Sequence, residues 1–142
     1  MSDATASQPR IALLGVPIEI GAAQAGTLMG PAALRTAGIA RLLEELEFTV
    51  EDHGDMARPN VVADGTPPAN AKYYDEVKSW IRALSEQAFA IARSGAIPIF
   101  MGGDHSLSMG SVNGVARYWQ ELEALLDAYL AGAPRRPRHL DR

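Results

Sequence analysis

Three short apolar segments divide the chain, and each is followed by a stretch with helical spacing. The first is residues 11–16, the second is the Phe48–Val50 run of strand-forming residues, and the third ends at Met101. Short, continuous apolar runs of this kind are typical of strands buried on both faces, as in a parallel sheet. The pattern therefore predicts three strands of a parallel sheet covered by helices.

Between these segments, apolar residues recur every three or four positions. This spacing predicts a helix over residues 32–47 with a weak point at Gly38, a long helix over residues 71–93, and a helix over about residues 106–119. Alternating strands and helices are typical of a doubly wound α/β sheet. We therefore predict an α/β fold.

The last segment departs from this alternation. After Trp119 the pattern calls for another strand, but a helical period continues to Gly132 and a Pro/Arg-rich stretch follows. The sheet is expected to stop after about three strands, with the third strand at an edge. We divide the chain into a flexible N-terminal tail (1–10), an α/β part (11–120) and an atypical part (121–142), which is helical and then rich in Pro and Arg.

Composition narrows the possible partners and compartments. The formal charge is −4 and the isoelectric point is near 5.3, so nothing in the charge balance favours nucleic acid or an anionic membrane as a partner. The chain has no cysteine, which excludes disulfides and thiolate metal sites and fits a reducing compartment. It has neither a signal-peptide pattern nor an apolar run long enough to cross a bilayer, so we expect a cytoplasmic protein.

The strongest candidate chemistry follows the third apolar segment. Gly102 and Gly103 end that segment, and Asp104 and His105 come directly after them. Ligands of open parallel sheets bind outside the carboxyl ends of the strands, and imidazole suits Zn, Mn, Fe or Ni. One interpretation is that one of the two side chains binds a metal while the other orients the loop or caps the next helix. The alternative is a simple turn with a capping Asp and an exposed His.

Other candidate sites are weaker. His53 lies in a turn-like sequence, where a solvated turn is favoured over a second metal site, and His139 is incidental. The almost uncharged stretch from Pro17 to Met29 is a candidate functional loop, but residues 21–30 lack the glycine spacing of nucleotide-binding loops. Ser106 beside His105 does not make a catalytic triad, and the arginines of residues 135–142 suit a solvated tail better than a binding site for an acidic partner.

Four ordered segments nevertheless resemble one family. They are residues 11–22, residues 26–38 with the string Gly-x-x-x-Gly-Pro-x-x-Leu-Arg-x-Ala-Gly, the motif Asp-x-Gly-Asp at 52–55, and Gly-Gly-Asp-His-Ser at 102–106. In this order and spacing they resemble the arginase, or ureohydrolase, family of binuclear manganese hydrolases. The resemblance runs from residue 11 to about residue 120.

The resemblance implies a three-layer α/β/α fold around a parallel sheet, with His105 as a ligand of one of two Mn²⁺ ions and Asp104 as a loop-shaping residue. It implies hydrolysis of a small guanidino substrate, with L-arginine to L-ornithine and urea as the first choice. Agmatinase or guanidinobutyrase activity is the alternative. Members of the family are homo-oligomers, either trimers or hexamers. The resemblance therefore implies a homo-oligomer for this chain as well.

The chain also departs from the family. The Asp-x-His-x-Asp and Asp-x-Asp motifs that supply most of the metal ligands are absent, and a single His with one nearby carboxylate cannot hold two divalent ions. We therefore assign no catalytic residue and expect an N-terminal portion of an arginase that is inactive alone, with a tail like that of a truncation or shifted reading frame. The other hypothesis is a non-catalytic module that pairs with an intact subunit through its unfinished sheet edge.

Overall fold

A computed structural model describes residues 8–132 of the chain. Within this range the chain forms three strands and four α-helices, and a single 3₁₀ turn at Thr27–Met29 precedes the first helix. In chain order the elements are β1 (Arg10–Val16), α1 (Gly30–Thr36), α2 (Ile39–Glu45), β2 (Thr49–Asp55), α3 (Tyr74–Arg93), β3 (Ile97–Gly102) and α4 (Leu107–Gly132).

The sheet is parallel, and its order is β2-β1-β3. The central strand, β1, places Ile11 between Val50 of β2 and Ile97 of β3. All residues of β1 from Ile11 to Val16 are buried, as the unbroken apolar run predicted. Within residues 8–132 the sheet has three strands with β3 at one edge, which confirms that part of the prediction.

Successive side chains of β1 point into two separate cores, because side chains alternate between the faces of a strand. Ile11 and Leu13 pack with α2 and with Met101, while Leu14 and Val16 pack with α3 on the opposite face. Helices therefore cover both faces of β1. This is the three-layer α/β/α architecture that the family resemblance implied.

Two predicted boundaries were wrong. The helix expected over residues 32–47 is two helices, because Gly38 takes a left-handed conformation with φ of 88° and turns the chain between α1 and α2. The weak point predicted at Gly38 is thus a break. The second strand does not stop at Val50 but continues to Asp55, so His53 lies on a strand rather than in a turn.

Helices α3 and α4 pack closely through two glycines. A Cβ atom on Gly110 would lie 2.8 Å from the carbonyl oxygen of Ile81, and one on Gly114 would lie 2.3 Å from that of Ser85. The missing side chains let the two backbones approach. The helical period predicted beyond Trp119 is confirmed, since α4 continues to Gly132 without a break. None of the helices in residues 8–132 has both the length and the apolar character needed to cross a bilayer.

The Asp-x-Gly-Asp motif anchors α1 to the end of β2. The Arg35 guanidinium donates to Asp52 Oδ2 from Nε at 2.8 Å and to Oδ1 from Nη2 at 2.9 Å, and Nη1 reaches Asp55 Oδ1 at 2.5 Å. Gly54 has a positive φ of 74° and donates its N–H to Asp52 Oδ1. A Cβ on Gly15 would lie 1.8 Å from Asp55 Oδ1, so Asp52, Gly54 and Asp55 each have a structural role.

This network predicts a pH-dependent contribution to stability. Hydrogen bonds from Arg35 hold the pKa of Asp52 below its ordinary value of 3.8. As the pH falls, the Asp52 carboxylate is therefore protonated in the unfolded chain before it is protonated in the folded chain. Its contribution to the free energy of unfolding is present above about pH 4 and is lost as the pH falls through the lowered pKa. We expect Arg35→Gln to lower the free energy of unfolding by about 1 kcal/mol at pH 6 and by less at pH 2.5, measured by urea titration.

The matched control is Arg41→Gln. Arg41 forms only an exposed pair with Glu45, four residues along the same helix. Exposed pairs of this kind contribute little, so this variant should lie close to the wild type at both pH values. An Arg35→Gln difference that does not shrink at low pH would contradict the role given to Asp52.

Candidate functional site at the carboxyl edge of the sheet

The turn after β3 lies directly against the segment that follows β1. The N–H of Gly103 donates to the carbonyl oxygen of Val16 at 3.2 Å, and the N–H of Asp104 donates to that of Ile18 at 2.8 Å. A Cβ on Gly103 would lie 1.9 Å from the Ile18 carbonyl oxygen. Gly103 therefore marks a close approach of two backbones.

Asp104 joins the two segments through its side chain. Its carboxylate is buried, with 8% of the residue exposed, and Oδ2 accepts a hydrogen bond from the N–H of Gly21 at 2.7 Å. Oδ1 accepts from the N–H of Ser106 at 2.8 Å and from the Ser106 hydroxyl. Both carboxylate oxygens are thus engaged within the protein, and Asp104 shapes the turn.

His105 has the opposite environment. It is exposed at the carboxyl edge of the sheet, while its carbonyl oxygen accepts hydrogen bonds from the N–H of Ser108 at 3.2 Å and the Ser108 hydroxyl at 2.8 Å. The backbone at His105 is therefore held just before the start of α4, and the residue is exposed to solvent. Such an imidazole can act as a metal ligand or a proton carrier.

The sequence that forms this turn and the flanking strands matches the sequence pattern of a known family. A model of the arginase family matches residues 9–128. That range is most of the chain. The chain belongs to the arginase family.

The match extends to individual relatives. An arginase of Agrobacterium fabrum is 48% identical over 111 residues, which cover 78% of this chain and 34% of the relative. An arginase of Brevibacillus brevis is 37% identical over 120 residues, which cover 84% of this chain and 40% of the relative. The chain thus spans between a third and two fifths of the length of these curated relatives.

Solved structures agree on the fold. The crystal structure of an arginase from Bacillus cereus superimposes with a TM-score of 0.67 at 31% identity, covering 78% of this chain and 36% of that one. The arginase of Bacillus caldovelox gives the same TM-score at 29% identity. The three-layer α/β/α arrangement of the described residues is therefore an arginase-type fold, as the resemblance implied.

The donor set does not fit a binuclear metal centre within residues 8–132. No group of three or more His, Asp or Glu side chains in this range is arranged to hold a metal ion. Asp104 is engaged in hydrogen bonds, and His53 lies two strands away on β2, 3.8 Å from the Glu51 carboxylate. His139 lies outside the described residues. Of the three histidines, His105 is the one that the structure places in the turn after β3.

Sequence reasoning missed the interactions that fix the loop between β1 and α1. Glu19 accepts hydrogen bonds from the N–H of Gly26 and, at 3.4 Å, from the N–H of Leu28. It is the single charged residue of the otherwise uncharged loop, and that isolation is the signal that could have identified it.

An open groove of about 500 Å³ lies between this loop and α3, and it is lined in part by Tyr73 and Trp80. His105 does not line this groove.

Proposed function

We propose that this chain is the N-terminal portion of a manganese-dependent arginase, which hydrolyses L-arginine to L-ornithine and urea, and that the 142-residue chain does not catalyse this reaction alone. The observation that carries the proposal is the glycine-bounded turn after β3, where a fixed backbone holds an exposed His105 at the carboxyl edge of an arginase-family sheet. The role that we assign to this chain in the reaction is to position the His105 imidazole for metal binding.

The different environments of two neighbours support the assignment of roles. The Asp104 carboxylate accepts three hydrogen bonds from the protein, so three of its roughly four acceptor sites are already used in positioning. The His105 ring is exposed, and its backbone is held by Ser108. We therefore assign metal binding to His105 and positioning to Asp104.

The proposed inactivity of the isolated chain follows from its donor set. Sites for divalent ions need several convergent ligands, three or more in the case of catalytic zinc and a larger number for harder ions. Residues 8–132 hold no such group. Chemistry that depends on a pair of Mn²⁺ ions is therefore not available to these residues by themselves, and we assign no reaction step to them.

Arginase is favoured over agmatinase by the relatives. Proteins described as arginases are 48% and 37% identical to this chain. A structure described as that of an agmatinase, from Clostridium difficile, is 13% identical with a TM-score of 0.53, which indicates a shared fold alone. L-Arginine is accordingly the proposed guanidino substrate.

The first experiment measures urea release by the purified 142-residue chain with L-arginine and Mn²⁺. We expect a rate no higher than that of buffer with Mn²⁺, and no retention of stoichiometric manganese after gel filtration. Urea release that depends on the chain and on Mn²⁺ would contradict the proposed inactivity.

A second experiment tests the role of His105 in a complete fold. Residues 1–120 are joined to the part of the Agrobacterium fabrum arginase that follows its matched segment. We expect this chimera to release urea from arginine with Mn²⁺, and His105→Asn to lower its activity at least 100-fold and its bound manganese from two ions to about one.

The matched control is His53→Asn in the same chimera. His53 is also an exposed histidine, but it lies on β2, away from the turn after β3. Activity and metal content should stay within twofold of the unmodified chimera. Full manganese content after His105→Asn would remove His105 from the proposed ligand set.

A further inference from the structure

The loop between β1 and α1, residues 17–29, contacts the turn after β3 at both of its ends. Where the loop begins, the carbonyl oxygen of Ile18 accepts a hydrogen bond from the N–H of Asp104 at 2.8 Å. Directly after the loop, a Cβ on Gly30 would lie 2.0 Å from the carbonyl oxygen of Gly102, so the two backbones are in close contact there. Both ends of the loop are therefore placed against the same turn.

Between these ends, Gly21 connects the loop to the side chain of Asp104. The Gly21 N–H donates to Asp104 Oδ2 at 2.7 Å, and a Cβ on Gly21 would lie 3.2 Å from the same oxygen. The carbonyl oxygen of Glu19 accepts a hydrogen bond from the N–H of Ala22 at 3.0 Å, which closes a four-residue turn with Gly21 inside it. The direction of the Gly21 N–H group therefore depends on the backbone at Glu19.

The side chain of Glu19 crosses this loop. One carboxylate oxygen, Oε2, accepts a hydrogen bond from the N–H of Gly26 and a longer one, at 3.4 Å, from the N–H of Leu28. These two residues are seven and nine positions further along the chain. The carboxylate therefore joins the beginning of the loop to the part that leads into α1.

The charge of Glu19 strengthens this connection. Hydrogen bonds from N–H groups to an ionised carboxylate are about twice as strong as those to a neutral acceptor. Residues 17–29 include no other charged residue, so no cation of the loop itself competes with the two N–H groups for the carboxylate. We therefore expect Glu19 to be the main side-chain restraint on the conformation of the loop.

We propose that Glu19 is a positioning residue, whose carboxylate keeps the loop between β1 and α1 in the conformation that brings Gly21 onto Asp104. Without this restraint, Gly21 moves more freely and its hydrogen bond to Asp104 weakens. The turn that carries His105 is then held less firmly. The effect on catalysis rests on the proposed function, because it requires the turn after β3 to be part of an active site, whereas the restraint on the loop does not.

Amide hydrogen exchange of the full 142-residue chain, followed by NMR, tests the restraint. We expect Glu19→Ala to speed exchange about tenfold at Gly26, which loses its acceptor, and about fivefold at Gly21, whose acceptor is Asp104. Exchange at Leu13, in the centre of the sheet, should stay within about twofold of the wild type. Unchanged exchange at Gly21 overturns the proposal. Equal acceleration at all three residues also overturns it, because Glu19 would then support the whole fold rather than the loop.

The conservative variant Glu19→Gln tests whether the hydrogen bonds carry the effect. Glutamine keeps an oxygen acceptor at the end of a side chain of the same length, and in the wild type a single oxygen accepts both bonds. We expect exchange at Gly21 to stay within about threefold of the wild type, with the remaining difference due to the lost charge. A Glu19→Gln variant that exchanges as fast at Gly21 as Glu19→Ala overturns the proposal.

The matched control is Gln24→Ala. It removes a polar side chain of the same length from the same loop, and Gln24 is exposed. Exchange at Gly21 and Gly26 should stay within about twofold of the wild type, because the Glu19 carboxylate still joins the two parts of the loop. If Gln24→Ala speeds exchange at Gly21 as much as Glu19→Ala does, the effect belongs to the loop in general and the role given to Glu19 is wrong.

The chimera of residues 1–120 with the Agrobacterium fabrum arginase tests the consequence for catalysis. With Mn²⁺ in excess, we expect Glu19→Ala to lower kcat about tenfold and to leave the KM for arginine within about twofold, because the restraint acts on the turn rather than on bound substrate. Glu19→Gln should restore kcat to within about threefold of the unmodified chimera. A larger change in KM than in kcat overturns the positioning role. An unmodified chimera that releases no urea would contradict the proposed function instead, while the exchange rates still decide whether Glu19 restrains the loop.

Discussion

Asp104→Ala is expected to lower the free energy of unfolding by about 3 kcal/mol, because it leaves two backbone N–H groups without a partner. The carboxylate accepts from the N–H groups of Gly21 and Ser106 and is itself buried. Urea unfolding monitored by fluorescence of the buried Trp80 gives the value. The loss should be accompanied by faster amide hydrogen exchange at Gly21, on the far side of the contact.

Two further variants separate the hydrogen bonds from the loss of charge. Asp104→Asn keeps an oxygen for Ser106 but can direct an amide N–H group at the N–H of Gly21, so we expect an intermediate loss. Asp127→Ala removes an exposed carboxylate on α4 and should change the free energy of unfolding by less than about 0.5 kcal/mol. A change below 1 kcal/mol for Asp104→Ala would mean that Asp104 does not hold the turn.

Gly103→Ala is expected to lower the free energy of unfolding by about 3 kcal/mol, because the new methyl group would meet backbone atoms rather than a movable side chain. A Cβ at this position lies 1.9 Å from the Ile18 carbonyl oxygen and 2.8 Å from its carbonyl carbon. The turn can accept it only by separating from the segment that follows β1. The hydrogen bonds that Gly103 and Asp104 donate to Val16 and Ile18 would lengthen with it.

The neighbouring glycine provides the comparison. A Cβ on Gly102 would meet Cδ2 of Leu107 at 1.9 Å, but this is the end of a flexible side chain that can rotate away. We therefore expect Gly102→Ala to cost about 1 kcal/mol, measured by the same urea titration. Equal losses in the free energy of unfolding for Gly102→Ala and Gly103→Ala would show that the backbone contact at Gly103 does not determine the effect.

The hydrophobic pattern predicted the central part of the fold well. The unbroken apolar run of β1 indicated burial on both faces, and the structure places Leu13 and Leu14 in two different cores. This succeeds because a strand has only two faces, so a run that is apolar at every position leaves no solvated side. The helical spacing of apolar residues predicted α4 equally well.

The pattern failed where polar side chains belong to regular structure. Asp52 to Asp55 have the composition of a turn, but tertiary contacts with Arg35 keep them in β2. A partner 17 residues away in the sequence cannot be read from local propensity.

By itself, the sequence determined the order of strands and helices, the family to which the chain belongs, and the turn in which Asp104 and His105 lie, because periodicity and motif spacing are properties of the chain. Only the tertiary structure decided how the two residues differ. Packing against Ile18 and Gly21 buries one side chain and ties it to the protein, while the other is left exposed. Burial and hydrogen bonding depend on residues more than 80 positions away, which adjacency in the sequence does not reveal.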